Sequence, residues 1–387
     1  MKKQSTLFLT LLLLTLAILL NVWSIKAQKT STNNQETIIK YLSSTGKDHT
    51  VTWDFFCTKG RKSGAWSKIE VPSCWEQQGF GSYNYGHDPM DERADEEGLY
   101  KHQFELPDSW RNKTVRIVFE AAMTDTEVKI NGELAGAIHQ GAFYEFKYDI
   151  TDKLEFGKPN LLEVKVSKVS ANQSINFAER QADFWIFGGI FRPVYLEILP
   201  EEHIERIAID AKANGNILAD IFTKTSEGTV QLALLDLNGN KLRDLALSKA
   251  KYEDGKLHVE TKANNIKTWN PEYPRLYQLQ VSLLDENGRV THKIKERIGF
   301  RTVEVLEGDG IYVNGQKIKF KGVNRHSFYP SSGRTTSKAL SIAHIKMMKD
   351  MNMNAVRMSH YPPDKHFLEA CDSLGLFVID EVCTWHS

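Results

Sequence analysis

The sequence has few cysteines, few prolines and no excess of either charge. Its 387 residues include 4 Cys and 11 Pro, and 49 Lys and Arg balance 49 Asp and Glu to a formal charge of +0. The cysteine count excludes a disulfide-dense miniprotein, and the charge balance provides no basic surface for nucleic acid. With 41% hydrophobic and 25% charged residues, the chain is too apolar to be disordered and too long for one ordinary core. We therefore expect two or three packed domains.

One long apolar run stands near the amino terminus, after Lys2 and Lys3. It extends from Leu7 to Leu20, and Ile25-Lys26-Ala27 then offers a small residue at a cleavage point. This order is typical of a secretory signal peptide over residues 1–27. An uncleaved membrane anchor is the alternative, but roughly 14 residues rise only about 21 Å as a helix, short of the ~30 Å hydrocarbon core. We expect an exported protein, periplasmic or secreted, with no stable membrane span after cleavage.

The four cysteines fit no common zinc-binding spacing. Cys57 and Cys74 lie in the first predicted domain, where an oxidising compartment would allow them to pair. Sequence separation does not tell whether their Cα atoms come within bonding distance, so this pairing stays open. Cys371 and Cys383 lie in or beside apolar runs, which is typical of buried thiols.

Alternating hydrophobic and polar residues fill the chain from about residue 53 to residue 305. Examples are Thr114–Phe119, Glu127–Ile130, Leu161–Val166 and Pro193–Ile198. Asn-Gly after such a run is the strongest local signal for a β-hairpin, and it occurs at Asn131, Asn238 and Asn287. We predict a jelly-roll β-sandwich over residues 28–200 and an immunoglobulin-like β-sandwich over residues 201–305. No ionisable cluster stands out in the second sandwich, so we interpret it as a spacer domain.

The hydrophobic period changes in residues 306–387. The elements predicted there are a hairpin at Ile311–Ile318, strands at Ile318–Val323, Ala355–Met358 and Leu376–Asp380, and helices at about Ser337–Met351 and Asp364–Leu374. In the first helix, one face is expected to carry Ala339, Ile342, Ile345 and Met348. Because a β-α-β-α-β order with short connections requires a parallel sheet, we predict the first three β/α units of a (β/α)8 TIM barrel.

Polar side chains follow each of these three strands. Asn324-Arg325-His326 follows the first strand, Ser359-His360-Tyr361 the second and Asp380-Glu381 the third. In a (β/α)8 barrel such positions converge at the carboxyl-end face, where the chemistry takes place. For His326 or His360 taken singly, a structural histidine bonded to neighbouring loops is the alternative. Polar side chains after three successive strands favour the interpretation that these residues lie at the carboxyl-end face of a barrel.

At these residues the chain resembles glycoside hydrolase family 2, which contains β-galactosidases, β-glucuronidases and β-mannosidases. The barrel motifs that carry the resemblance are Gly322–His326, Asn354–Arg357, Ser359–Pro362 and Asp380-Glu381. The motifs upstream are Val71–Trp75, Gly98–Tyr100, Asn131-Gly132 and Asp183–Arg192. The resemblance covers nearly the whole mature chain, and its details lean toward β-galactosidases. It implies the domain order of that family, a sugar-binding jelly roll, an immunoglobulin-like sandwich and a barrel.

The resemblance implies roles for individual side chains. His326 and His360 would hydrogen-bond the sugar hydroxyls, and Arg357 would hold the nucleophilic carboxylate. Asp183 would reach from the first domain into the mouth and contact both the galactosyl group and a monovalent cation, Na⁺. Asn84 would make a further sugar contact. The supporting residues would be Asn324, Arg325, Asp380 and Glu381, together with Trp185, which either stacks on a sugar face or fills the sandwich core.

Two departures from the family pattern concern metal binding and catalysis. Ser327 replaces an acidic residue, and Val382–His386 lacks a metal-binding glutamate, so the sequence does not support a magnesium site of the best-known kind. Retaining glycosidases need two carboxyl groups ~5 Å apart, and in this family both lie on later barrel strands. No Asn-Glu pair, the mark of the first of them, occurs in residues 306–387. We expect both catalytic glutamates beyond Ser387, and a chain that is inactive and poorly soluble by itself.

The sequence thus predicts the amino-terminal portion of an exported retaining β-glycosidase that hydrolyses terminal β-D-galactosides in carbohydrate catabolism. One alternative is a β-glucuronidase or β-mannosidase, and the other is a non-catalytic carbohydrate-binding protein built on the two sandwiches. Asp183 favours a neutral galactoside, because an anion directed at the sugar would repel a uronate, which needs cationic or amide donors. The expected partner is an oligosaccharide or β-galactoside, and the oligomeric state stays open.

Overall fold

The structure is a computed structural model that describes residues 35–89, 91–223, 229–249, 251–253 and 255–383. The predicted signal peptide, residues 1–27, lies outside the described residues, as do residues 384–387. In the part of the chain that is described, no helix is both long enough and apolar enough to cross a membrane.

The first region folds into two antiparallel sheets packed face to face. Its strands are β1 (Ile38–Tyr41), β2 (Val51–Cys57), β3 (Trp66–Val71), β4 (Asn84–Tyr85), β5 (Glu97–Glu105), β6 (Thr114–Phe119), β7 (Asp125–Ile130), β8 (Glu133–Leu134), β9 (Phe146–Asp149), β10 (Pro159–Ser167), β11 (Trp185–Ile186) and β12 (Val194–Leu199), and its helix is α1 (Gln173–Glu179). Among the described residues of this region, short 3₁₀ turns lie at Trp75–Gln78, Asp108–Trp110 and Thr151–Lys153. The strand orders are β1-β12-β6-β9 and β3-β2-β5-β10-β7-β8, and β4 pairs only with β11. Trp53, Phe55 and Leu196 meet in the core between the sheets.

The second region is another pair of antiparallel sheets. Its strands are β13 (Ile204–Ala211), β14 (Asn216–Thr223), β15 (Thr229–Leu235), β16 (Lys241–Lys249), β17 (Lys251–Glu253), β18 (Lys256–Lys262), β19 (Tyr277–Leu284) and β20 (Val290–Ile298). The strand orders are β13-β14-β18-β17 and β16-β15-β19-β20. Ile221, Leu232 and Val281 meet in its core. The turns at Asn238 and Asn287 join β15 to β16 and β19 to β20, so both predicted hairpin tips are observed.

The third region begins with a small antiparallel sheet and continues as parallel β/α units. The antiparallel strands are β21 (Val303–Leu306), β22 (Gly310–Val313) and β23 (Gln316–Lys317). The units that follow are β24 (Gly322–Arg325), α2 (Lys338–Asp350), β25 (Ala355–Met358), α3 (Lys365–Leu374) and β26 (Phe377–Ile379). Pairing of β24 with β25, and of β25 with β26, is parallel, as the β-α-β-α-β order requires.

The first parallel strand starts later in the chain than Ile318–Val323, where the pattern predicts it. Ile318 belongs to the preceding hairpin, because its N–H donates to the Ile311 carbonyl at 2.9 Å. Gly322 opens β24, and a Cβ at this position would lie 1.9 Å from the Ala355 carbonyl oxygen. Asn324 and Arg325 therefore lie within the strand, where their side chains point to opposite faces of the sheet.

The predicted apolar face of the first barrel helix is partly wrong. Ile345 and Met348 are buried in α2, but Ala339 is exposed and Ser341 is buried instead. A strict spacing of three residues drifts by about 60° per step around a helix of 3.6 residues per turn. Three such steps place Ala339 on the opposite side of α2 from Met348. The start of the helix is capped by Ser337, whose hydroxyl accepts from the Leu340 N–H at 3.3 Å.

A buried ion pair joins the first sandwich to the parallel units. Arg192 lies 3.1 Å from Asp364, Nε to Oδ1, and each side chain is 5% exposed. Arg192 also donates to the Pro362 carbonyl at 2.7 Å, and Asp364 accepts from the Thr336 hydroxyl at 2.7 Å. These contacts hold the loop that follows β25 against the sandwich.

All four cysteines are buried and unpaired, so the pairing of Cys57 with Cys74, left open by the sequence, is not present. Burial raises the pKa of the Cys74 thiol to about 12, and the pKa of Cys371 and of Cys383 to the same range. These side chains therefore pack as small apolar groups, as predicted for Cys371 and Cys383.

Candidate functional site

The residues that follow the three parallel strands meet at one end of the sheet. His326 comes directly after β24, and His360 follows β25 by two residues. Their ring centroids are 5.4 Å apart and the rings are nearly perpendicular. Nδ1 of His360 lies 3.1 Å from Oε2 of Glu381, which follows β26 by two residues. The carboxyl ends of all three strands thus contribute to one group of side chains, which we call the mouth.

The mouth opens onto the face of the parallel sheet that the helices leave uncovered. Val356 and Met358 pack against α2 and α3, so the alternate position, Arg357, points to the other face. Asn324 and Ile379 stand opposite Arg357 in register and are exposed. Nε of Arg357 forms a close ion pair with Oε1 of Glu381. Glu381 therefore shares its carboxylate between Arg357 and His360.

The first sandwich contributes the loop before β11 to the mouth. The ring of Phe184 lies 6.4 Å from His326 and 5.9 Å from Tyr361, centroid to centroid. Asp183, next to it, is exposed. Burial lowers the pKa of His326, the charges of Arg334 and His360 act in the same direction, and the Asp183 charge opposes them. His326 is consequently neutral at pH 7 and has one donor and one acceptor nitrogen.

Tyr361 and Arg334, which the sequence analysis did not select, form the floor of the mouth. Both are buried, and the Arg334 guanidinium lies 4.2 Å from the Tyr361 ring centroid and 4.5 Å from that of Phe184. The Tyr361 hydroxyl is 3.4 Å from Nδ1 of His326. Tyr361 directly follows His360 in a polar strand exit, which is a usable signal. Arg334 lies in a loop without periodicity, and nothing in the sequence pattern marks it.

Asn84 and Trp185 stand on opposite faces of the β4–β11 ribbon. Trp185 pairs with Tyr85, and Ile186 pairs with Asn84. Trp185 is 47% exposed, so it does not fill the sandwich core. Asn84 is buried, and its Oδ1 atom has no hydrogen-bond partner in the described part of the chain. A buried amide oxygen without a partner is unusual in a folded protein and leaves Asn84 able to accept from a ligand.

Of the predicted supporting residues, Arg325 packs on the helix side of the sheet and Asp380 acts through Glu381. Arg325 points to the helix side of the sheet, where its guanidinium lies 4.0 Å from the Phe367 ring and Nε donates to His344 at 3.4 Å. It is therefore part of the packing between β24 and the helices, because strand alternation directs it away from Asn324. Asp380 is exposed and accepts from the Glu381 N–H at 3.0 Å, so it orients the residue that holds Arg357 and His360.

The side chains of the mouth can serve a ligand with many hydroxyl groups. Imidazole nitrogens and an exposed carboxylate provide directional donors and acceptors. Among the described residues, no group of three or more His, Cys, Asp or Glu is arranged to hold a metal ion. Two β-sandwiches are thus followed by parallel β/α units whose carboxyl ends carry this group of side chains.

Comparison with known protein families matches each of the three regions to the same family. Residues 60–200 match the sugar binding domain of glycosyl hydrolases family 2, and residues 202–301 match a second domain of glycosyl hydrolases family 2. Residues 303–385 match the TIM barrel domain of that family. The chain belongs to glycoside hydrolase family 2.

Curated relatives include β-galactosidases and a putative β-glucuronidase. A β-galactosidase of Clostridium acetobutylicum is 35% identical over 332 residues, which is 81% of this chain and 36% of the relative. A putative β-glucuronidase of Formosa agariphila is 31% identical over 324 residues, which is 82% of this chain and 38% of the relative. This chain therefore spans little more than a third of the length of these relatives.

Solved structures with a similar fold include several β-glucuronidases. An FMN-binding β-glucuronidase of Facaelibacterium prausnitzii L2-6 superposes with a TM-score of 0.73 at 24% identity, covering 90% of this chain and 53% of the other. A β-D-glucuronidase of Dictyoglomus thermophilum gives a TM-score of 0.69 at 23% identity, covering 90% of this chain and 58% of the other. At this level of identity the similarity establishes the fold.

Proposed function

We propose that this chain is the amino-terminal portion of an exported retaining β-glycosidase that hydrolyses terminal β-D-galactosides. The observation that carries the proposal is the meeting of His326, His360 and Glu381 at the ends of three parallel strands, beside the Asp183 loop of the first sandwich. Membership of glycoside hydrolase family 2 supports the reaction class.

A galactoside fits the charge of the mouth better than a glucuronide. Asp183 presents an exposed carboxylate beside His326, and this anion would repel a uronate at short distance. The relatives named β-galactosidase, at 35% identity in the Clostridium acetobutylicum protein, support the same choice. The putative β-glucuronidase of Formosa agariphila supports the second candidate, a glucuronide-cleaving enzyme.

In the proposed mechanism, the residues of this chain bind and orient the sugar. Neutral His326, with Nδ1 beside the Tyr361 hydroxyl, uses its other nitrogen for a sugar hydroxyl. His360 is oriented through Nδ1 by Glu381 and does the same. Because Glu381 is already paired with Arg357 and His360, we assign it to positioning and place the acid/base and nucleophilic glutamates outside this sequence. The chain by itself should not hydrolyse glycosides.

The cation proposed at Asp183 depends on oxygen donors, which hard cations prefer. The Asp183 carboxylate is exposed and can act as one ligand. Backbone carbonyl oxygens and sugar hydroxyls would have to supply the others. We therefore propose that Na⁺, if bound, binds together with the sugar.

The test is to keep residues 28–387 in solution with a fused solubility domain, to titrate them with methyl β-galactoside and methyl β-glucuronide by NMR, and to assay a chromogenic β-galactoside. We expect weak binding of the galactoside, little binding of the glucuronide and no turnover. Asp183→Asn should weaken galactoside binding about tenfold, since it removes a charge-assisted hydrogen bond. Asp244→Asn, in an exposed ion pair of the second sandwich, is the control. Preference for the glucuronide, or turnover at enzymatic rates, would contradict the proposal.

A further inference from the structure

Three aromatic side chains form a partly exposed surface next to the mouth. Trp185 is 47% exposed, Tyr83 is 45% exposed and Tyr85 is partly buried. The Trp185 ring centroid lies 6.1 Å from that of Tyr83 and 5.6 Å from that of Tyr85, both in edge-to-face geometry. We call these three side chains the aromatic platform. Large aromatic rings in contact with one another and with solvent mark a surface that is suited to a ligand.

The local structure holds the platform in a fixed arrangement. Trp185 and Tyr85 are direct cross-strand partners in the β4–β11 ribbon, so their side chains share one face. The Tyr83 hydroxyl donates to the Glu76 carbonyl at 3.2 Å, and the Arg61 guanidinium lies 4.8 Å from the Tyr83 ring centroid. Arg61 is itself fixed, because its Nε donates to the Gly81 carbonyl at 3.0 Å. A preorganised surface of this kind loses little entropy when a ligand binds.

Two chains of contacts connect the platform to the mouth. Trp185 directly follows Phe184, the residue whose ring lies 6.4 Å from His326. Tyr83 lies 6.3 Å from the Phe187 ring centroid. Phe187 in turn stacks on Phe328 at 6.1 Å, two residues after His326. The platform therefore lies beside the mouth, linked to it by the Phe184-Trp185 step of the chain and by the buried ring of Phe187.

The surroundings of the platform favour a sugar over a protein partner. Its apolar surface is limited to a few rings, and polar groups border it: Asp183 before Trp185, and His87 and Asp88 after Tyr85. A protein interface of ordinary stability needs a much larger buried area. A pyranose ring presents one C–H face that can cover an aromatic ring and hydroxyls that need polar neighbours or water.

We propose that the aromatic platform binds the second sugar ring of a β-linked saccharide whose terminal galactosyl ring occupies the mouth. This inference rests on the proposed function, since it needs a terminal sugar at His326 and His360. It makes the protein selective for oligosaccharides over galactosides with a small alkyl leaving group.

The experiment compares methyl β-galactoside with a β-linked galactosyl disaccharide as ligands of residues 28–387, measured by NMR titration. The disaccharide should bind the wild-type chain about 5- to 10-fold more tightly, the range that aromatic contacts provide. Trp185→Ala should abolish this difference, so that the two ligands bind with similar affinity, whereas Asp183→Asn should weaken both ligands by a similar factor. Trp66→Ala is the matched control, because Trp66 is a 49% exposed tryptophan on β3 of the same sandwich.

The outcomes separate the two proposals. If Trp185→Ala keeps the wild-type ratio of the two affinities while retaining its fold by circular dichroism, the platform is not a sugar subsite. If the wild-type chain binds neither saccharide, the proposed function is overturned and the platform proposal with it. The two proposals are both supported if the advantage of the disaccharide over methyl β-galactoside is lost in Trp185→Ala and Tyr85→Ala but kept in Asp183→Asn and Trp66→Ala.

Discussion

At the scale of single residues, the mouth depends on a shared carboxylate rather than on isolated side chains. Glu381 is the common partner of Arg357 and His360, and Asp380 orients it through the Glu381 N–H. Removing that carboxylate would release two side chains at once. The three residues should therefore behave as one energetic unit.

Glu381→Gln should weaken binding of methyl β-galactoside about fivefold, because an amide cannot hold both a guanidinium and an imidazole in place. His360→Asn alone should cost about as much, and the double variant little more than either single one. A double-mutant cycle measured by NMR titration should then give a coupling energy of about 1 kcal/mol. Glu155→Gln, in an exposed ion pair of the first sandwich, is the control. Strictly additive effects would show that Glu381 and His360 act independently.

Residue-level prediction from the sequence succeeded where position along a strand decides the outcome. The three strand exits brought His326, His360 and Glu381 to one end of the sheet, as expected of parallel strands. Arg325 was placed with them by the family resemblance and by a predicted first strand that ended too early, at Val323. Once Arg325 lies inside the strand, alternation with Asn324 turns it toward the helices. Packing of Arg334 on Tyr361 involves a loop without periodicity, so no pattern could reveal it.

At the scale of elements, the carboxyl end of α3 lies in a contact between regions. Gly375 ends α3 in the left-handed conformation, φ +79°, and the position is enclosed. A Cβ there would lie 2.1 Å from the Pro271 carbonyl oxygen, which belongs to the second sandwich. Lys349 donates to the same Pro271 oxygen at 2.9 Å and to the Gly375 oxygen at 3.0 Å. The helix terminus and the junction between regions are therefore one structural feature.

Gly375→Ala should destabilise the protein by about 3 kcal/mol, of which about 1 kcal/mol is the conformational cost of a side chain at positive φ and the rest is steric overlap. Gly288→Ala is a matched control, since Gly288 has φ +74° and nothing within 4 Å of the added Cβ. Gly288→Ala should lower the stability only by the conformational cost of about 1 kcal/mol. Chemical denaturation of both variants measures the difference. Equal losses would mean that Pro271 moves away without cost.

Hairpins and helix ends were the elements best predicted from local sequence. Asn131-Gly132 joins β7 to β8 with φ values of 52° and 88°, as the two-residue turn requires. Strand β25 has the predicted bounds, Ala355–Met358, because it is short, apolar and buried. The first strand of the parallel sheet was misplaced because Ile318 and Phe320 alternate with lysines, a pattern that fits a strand in either arrangement. The choice is made by the hydrogen bond of Ile318 to Ile311, which local sequence does not encode.

At the scale of the whole molecule, the two sandwiches meet at a buried histidine. His292 in β20 is fully buried, and its Nδ1 accepts from the Ile204 N–H at 2.9 Å at the start of β13. Its Nε2 lies 3.0 Å from the hydroxyl of Thr37, just before β1 of the first sandwich. This tautomer requires a neutral ring. Burial, with the charges of His203 and Lys113, lowers the pKa of His292 to about 4.

The junction between the sandwiches should therefore weaken in acid. His292 takes up a proton near pH 6.5 when unfolded and near pH 4 when folded, so its contribution to stability is complete above pH 6.5 and is lost as the pH falls through 4. The loss should reach about 3 kcal/mol by pH 4. His292→Asn keeps an acceptor for Ile204 and does not titrate, so it should flatten the pH dependence of the urea unfolding midpoint between pH 7 and pH 4. His258→Asn should steepen the pH dependence instead, because hydrogen bonds to Asp220 and Glu260 raise the pKa of partly exposed His258 and favour its charged form at low pH. If His292→Asn and the wild-type chain lose stability in parallel on acidification, another group causes the loss of stability in acid. His292 then serves only to fill the junction between the sandwiches.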